Sequence, residues 1–174
     1  MSERLVSLGE VMLRMSPPRF QRLRTTRSLD VHVAGAQLNV AADFARLGGQ
    51  GVFVSKLPAN ELGQLAYDTC LSYGVDMHHV QMIPGARMGI NYLEFSLSPR
   101  TPVAIFDRQG SAASTIGPDD FEWQAVFSGA QYAHVDGIVP GLSEGCRAAT
   151  QRYLQTARDL GVTTTFDVNY REHL

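Results

Sequence analysis

Apolar residues in this chain fall into short runs whose period alternates between that of strands and that of helices. Leu5 to Leu8 reads as a short buried strand, and Val11 to Met15 stays extended until Pro17-Pro18, which cannot donate to a ladder, ends it. Arg19 to Arg27 is polar and basic, and Leu29 to Val33 then alternates like a strand. From Ala36 to Leu47 the apolar Val40, Ala41, Phe44 and Leu47 recur at helical spacing, and Gly48 stands where a left-handed residue closes a helix. Val52 to Val54 predicts a strand, and Asn60 to Tyr73 a helix that closes at Gly74.

The rhythm then changes. Gly89 to Leu97 and Val103 to Asp107 are extended runs joined by a Ser98-Pro99-Arg100-Thr101-Pro102 turn, which predicts an antiparallel hairpin inside an otherwise alternating chain. A short helix is expected from Pro118, a strand over Tyr132 to Val135, a helix from a Ser143 cap to Leu160, and a last strand over Val162 to Val168. Strands alternating with helices imply a mainly parallel sheet flanked by helices, because parallel strands need crossovers. The hairpin, with Val11 to Met15 and Leu29 to Val33, is expected to form a separate small sheet. No crossover helix follows the last strand, so its edge is expected to be open and the domain incomplete.

Composition narrows the function classes. A chain of 174 residues with 44% hydrophobic and 18% charged residues is that of one ordinary globular domain. A formal charge of −2 gives no global attraction to nucleic acid or an anionic membrane, so an anionic ligand must be held by individual arginines. No apolar run approaches the ~20 residues that span a bilayer, and the amino terminus lacks a signal-peptide pattern, which gives a cytoplasmic expectation. Cys70 and Cys146 sit in helical apolar patterns without CxxC spacing and are expected to be reduced core residues.

Several common motifs are missing. Gly49-Gln50-Gly51 begins like a dinucleotide fingerprint, but Val54 occupies the third glycine position, which excludes that site. There is no GxxxxGK[ST], HExxH or GxSxG, and the five histidines, His78 and His79 included, lack metal-ligand spacing. The segment His32 to Ala41 reads as strand, glycine turn and helix start. Gly35 there lets a ligand approach backbone, the helix start offers free N–H groups, and Asn39 offers an amide; equally, Gly35 serves the turn and Asn39 faces solvent.

VAGAQLNVA, followed by FARLG and by Glu61-Leu62-Gly63, resembles the GG-x-x-N sugar-binding signature of ribokinase-like (PfkB) carbohydrate kinases, with Ala34 in place of the first glycine. The resemblance continues, in order, through GINYLEF, IFDRQGSA and FDVNYR, and is nearest to 2-keto-3-deoxygluconate kinases. It implies a ribokinase-like α/β fold over residues 1–174, with a β lid built from about 11–33 and 88–108. It also implies an ATP- and Mg2+-dependent transfer of phosphoryl to a primary hydroxyl of a sugar acid. Gly35, Asn39, Asn91 or Tyr92, Phe106, Arg108 and Arg171 would bind the sugar, the two arginines meeting its carboxylate; read singly, each arginine is a surface ion pair.

The family's Gly-Ala-Gly-Asp anion hole, whose aspartate is the general base, does not occur in the chain, nor does a nucleotide-binding segment. No catalytic residue is therefore assigned, and the 174 residues are expected to be inactive alone. An apolar hairpin needs cover, so a homodimer through the lid is expected. The rival readings are another sugar kinase of the same fold, of the fructokinase or ribokinase type, and a non-catalytic sugar-acid-binding module.

Overall fold

Strands buried on both faces must be apolar nearly throughout, and the strands at the centre of this chain are. The structure, a computed structural model, describes residues 2–170. Strands β1 (Arg4–Leu8), β4 (Gln50–Pro58), β5 (Asp76–Ile83), β8 (Tyr132–Asp136) and β9 (Thr163–Asp167) form one sheet in the order β5-β4-β1-β8-β9, with every pair parallel. Alternation divides the core in two. Val6, Leu8, Val52 and Val54 face one side, while Phe53 and Leu57 face the other.

The first side is covered by α3 (Trp123–Val126), α4 (Ile138–Leu142) and α5 (Glu144–Asp159). Tyr153 of α5 is fully buried, and its hydroxyl donates to the carbonyl oxygens of Val6 at 2.8 Å and His134 at 3.2 Å. One side chain thereby pins the helix across two neighbouring strands. The second side is covered by α1 (Ala36–Arg46) and α2 (Glu61–Ser72). Asn60 caps α2, its Oδ1 accepting from the N–H of Leu62 and Gly63 at 3.1 Å each, and Ser143 caps α5 by accepting from the Cys146 N–H at 3.1 Å.

A second, four-stranded sheet stands apart: β3 (Asp30–Ala34), β2 (Met12–Ser16), β6 (Gly89–Glu94) and β7 (Val103–Asp107), in the order β3-β2-β6-β7. Leu13 and Val33, paired across β2 and β3, pack into the core under α1. Glu94 is buried near the hairpin tip and ties it to the basic 19–27 stretch. Its Oε2 accepts from the Leu23 N–H at 2.9 Å, and Arg100 lies 3.8 Å away while donating to the Phe20 carbonyl.

The chain departs from its sequence reading in several places. β4 is nine residues long rather than three. β5 carries His78, His79 and Gln81, whose polarity hid an edge strand that pairs with β4 only. β6 ends at Glu94 rather than Leu97, where that carboxylate turns inward. Pro118 begins no helix: its carbonyl accepts from the Trp123 indole N–H at 2.7 Å, and the helix starts only at Trp123. The short α4 was not expected at all. At the other edge, all five residues of β9 are exposed.

Cys70 and Cys146 are free and buried, the former against α1 and β4, the latter under the first core. Burial pushes the Cys70 thiol up to about 12, and raises that of Cys146 as well. Neither thiol is expected to react with iodoacetamide at mildly alkaline pH in the folded chain, and both are expected to react in guanidinium; mass spectrometry of the alkylated chain checks this.

Candidate functional site

In a parallel sheet every strand ends on the same side, and polar residues that follow those ends converge. β1 runs out through Gly9 into Glu10, a carboxylate only 3% exposed. Arg108, just beyond β7, donates from Nη2 to Glu10 Oε2, and the Ser111 hydroxyl donates to Oε1 at 3.1 Å. Burial raises the Glu10 carboxyl above its ordinary range; the Arg108 guanidinium and the Ser111 hydroxyl pull it back, and nearby Asp136 pushes it up again. Glu10 and Arg108 form an ion pair joining the large sheet to the end of the small one.

Gly35 borders the same point. Its φ of −171° is extended backbone that any residue adopts, so conformational freedom is not what the position requires. The requirement is space: a Cβ there would lie 2.6 Å from the Glu10 carbonyl oxygen and 3.2 Å from Leu38 Cβ. The close approach expected of a ligand is made by the chain's own backbone. Asn39 lies exposed on α1, its N–H bound to the Gly35 carbonyl at 3.0 Å.

The register of the small sheet sorts the remaining residues. His32, Arg14, Asn91 and Phe106 are directly opposite one another across β3, β2, β6 and β7 and so share one face. Arg108 continues the alternation onto that face, its Cζ 5.7 Å from the centroid of the Phe106 ring. Tyr92 stands in the next row, with Met15, Val31 and Ile105, on the opposite face. Of the pair Asn91 and Tyr92, Asn91 is the one that shares a face with Phe106 and Arg108.

Arg171 lies outside the described residues. The segment leading to it is fixed by Asn169, a left-handed residue with φ 37°, whose side chain donates to Asp136 Oδ2 at 2.7 Å. Asp136, buried at the end of β8, also accepts from the Ile138 N–H at 2.9 Å. Sequence reasoning missed Glu10, Arg14, Ser111 and Asp136. The signal for Glu10 was present: one carboxylate inside the LVSLGEVML run must be buried, and a buried charge needs a partner.

Four polar atoms on this face are buried without a partner among the described residues: Arg108 Nε, Arg14 Nε, Asn91 Oδ1 and, two residues along β2 from Arg14, Ser16 Oγ. Two shallow clefts, of about 480 Å³ between Trp123 and Arg152 and about 250 Å³ beside His79, lie elsewhere and hold no comparable set. Among the described residues Glu10 is paired with Arg108, Asp136 accepts from Asn169, and no three His, Cys, Asp or Glu side chains converge.

The chain belongs to the pfkB family of carbohydrate kinases, whose family model matches residues 2–174. It is 40% identical over its whole length to a 2-dehydro-3-deoxygalactonokinase of Haloferax volcanii, covering 54% of that protein. It is 30% identical over 98% of its length to a 2-dehydro-3-deoxygluconokinase of Thermoproteus tenax, covering 51%. The crystal structure of a 2-dehydro-3-deoxygluconokinase from Thermotoga maritima superposes over 99% of the chain with a TM-score of 0.95 at 38% identity, and 52% of that chain is covered. The chain thus spans about half the length of the relatives it matches.

Because Gly35 abuts backbone rather than a yielding side chain, Gly35→Ala is expected to lower unfolding stability by ~1–3 kcal/mol, read from urea titration.

Proposed function

We propose that these residues form the sugar-binding part and the lid of a kinase that phosphorylates 2-keto-3-deoxygluconate or a similar sugar acid. The observation that carries this reading is the polar face at the strand ends. Phe106, Asn91 and Arg108 share it, and Arg108 Nε and Asn91 Oδ1 are buried there with nothing to bind among the described residues. Relatives named for 2-dehydro-3-deoxy sugar-acid kinases, at 30% to 40% identity, support the substrate class.

Mg-ATP supplies the transferred phosphoryl in this reading, and the nucleotide cradle and general base are not drawn from these residues. Their work is to orient the sugar and exclude water as the small sheet closes over the strand ends. Glu10 fixes the Arg108 guanidinium from one side and leaves its Nε edge toward the sugar.

A neutral-sugar kinase of the fructokinase or ribokinase type is the second reading. One observation favours it: Glu10 offsets the positive charge of Arg108, which lessens its pull on a carboxylate.

Calorimetric titration separates the two. The sugar acid is expected to bind about 10- to 100-fold more tightly than fructose, the scale of a charge-assisted hydrogen bond, and equal or tighter binding of fructose selects the second reading. The 174 residues alone are expected to show no ATP-dependent phosphorylation in a coupled assay.

The small sheet's other face carries exposed Val31, Val103 and Ile105 beside Tyr92. In the proposed enzyme a second copy covers this apolar face, forming a homodimer through the lid. Sedimentation equilibrium is expected to report a dimer that Ile105→Asp converts to monomer.

A further inference from the structure

We propose that the four arginines of the loop between β2 and β3 draw the anionic substrate towards the small sheet by long-range attraction, without touching it; this rests on the sugar-acid reading above. The loop leaves β2 after Ser16 and enters β3 at Asp30. Arg19, Arg22, Arg24 and Arg27 are exposed along it, with no acidic residue between them. None of the four forms an ion pair among the described residues, in contrast to Arg87, Arg100 and Arg108.

The balance of charge elsewhere gives this loop its weight. The chain carries −2 in all, so the four arginines leave −6 on the remainder. A sugar acid is an anion, and a surface of that sign without the loop would repel it. Arg108 faces the proposed sugar site, but Glu10 is paired with it. The loop is positive charge that no carboxylate among the described residues pairs.

That charge is also held in one place. Glu94 Oε2 accepts from the Leu23 N–H at 2.9 Å, and the Arg22 carbonyl accepts from the N–H groups of Thr25 and Thr26 at 3.0 Å each. Arg100 donates to the Phe20 carbonyl at 2.8 Å. These bonds engage loop backbone and leave the four guanidiniums to solvent. Arg100 donates also to the Phe95 carbonyl at 3.2 Å, and the Phe95 ring centroid lies 5.7 Å from Cζ of Arg14, a member of the polar row. The loop therefore borders the outer end of the face that carries Asn91 and Phe106. Attraction from there needs no converging side chains, since it acts over a Debye length, about 10 Å at about 0.1 M salt.

The test compares the sugar acid with its uncharged carboxamide in the intact enzyme at saturating Mg-ATP, from about 20 mM to about 500 mM ionic strength. One variant combines Arg19→Gln, Arg22→Gln, Arg24→Gln and Arg27→Gln, which removes the charge; a second changes the same four positions to Lys, which keeps it. Thermal melting by circular dichroism verifies that both fold. At low ionic strength the Gln variant is expected to lose about two- to tenfold in kcat/KM for the acid, through KM with kcat unchanged, and the loss is expected to vanish at high salt. The Lys variant on the acid, and the Gln variant on the carboxamide, are expected to match the unaltered enzyme. A Gln variant that matches the unaltered enzyme on the acid at low ionic strength overturns the inference. So does a loss shared equally by acid and carboxamide, or by the Gln and Lys variants, because such a loss is one of structure and not of charge. Any of these results in an enzyme that still prefers the acid to fructose sinks the inference alone. An enzyme that phosphorylates only neutral sugars overturns the sugar-acid reading, and the inference with it.

Discussion

A carboxylate taken out of water is destabilising by several kcal/mol unless charge and hydrogen bonds replace the water it lost. Glu10 is such a group, and the geometry of the site follows from how it is satisfied. Its two partners lie 98 and 101 residues further along the chain, so each bond closes a long loop as well as meeting a buried oxygen. Gly35 presses against its backbone carbonyl, and a Cβ on Gly89 would lie 3.0 Å from its Oε1. The start of α1, the end of β1 and two strands of the small sheet are thereby referred to one residue. In the proposed enzyme, a lid that must be placed accurately over the strand ends gains its reference point there.

The small sheet presents two chemically different faces because a strand has two sides. One carries the polar His32, Arg14 and Asn91 in a row with Phe106; the other carries Val31, Tyr92 and Ile105. Near its base the second face is already buried, through Leu13 and Val33 under α1, and only its outer part remains exposed. In the proposed reading, ligand recognition and self-association use opposite sides of the same ladder. A one-residue slip in register would exchange them, so the pairing must be strongly specified. Leu13 in the core and Glu94 bound by Leu23 and Arg100 hold that register at both ends.

Much of the fold was legible because period and caps agreed. α1, α2 and α5 follow helical spacing and end at Gly48, Gly74 and Gly161, all at positive φ, as the composition of their termini predicts. β5 was hidden because an edge strand tolerates polar residues such as His78 and Gln81, and Pro118 misled because an N1 preference does not supply a helix with packing. At the site, a glycine corner and Arg108 could be read from motifs, but their junction could not. Glu10 has meaning only beside Arg108, and Arg14 only opposite Asn91; both are contacts between distant segments, which no local pattern encodes.

The coupling between Glu10 and Arg108 is the quantity on which this description stands. Urea unfolding of Glu10→Gln, Arg108→Met and the double variant measures it directly. A coupling of about 2 kcal/mol or more is predicted, since either single change strands a buried charged or polar group that the double change removes. Additivity of the two single losses, to within about 0.5 kcal/mol, would mean that the pair does not join the two sheets and would contradict the account.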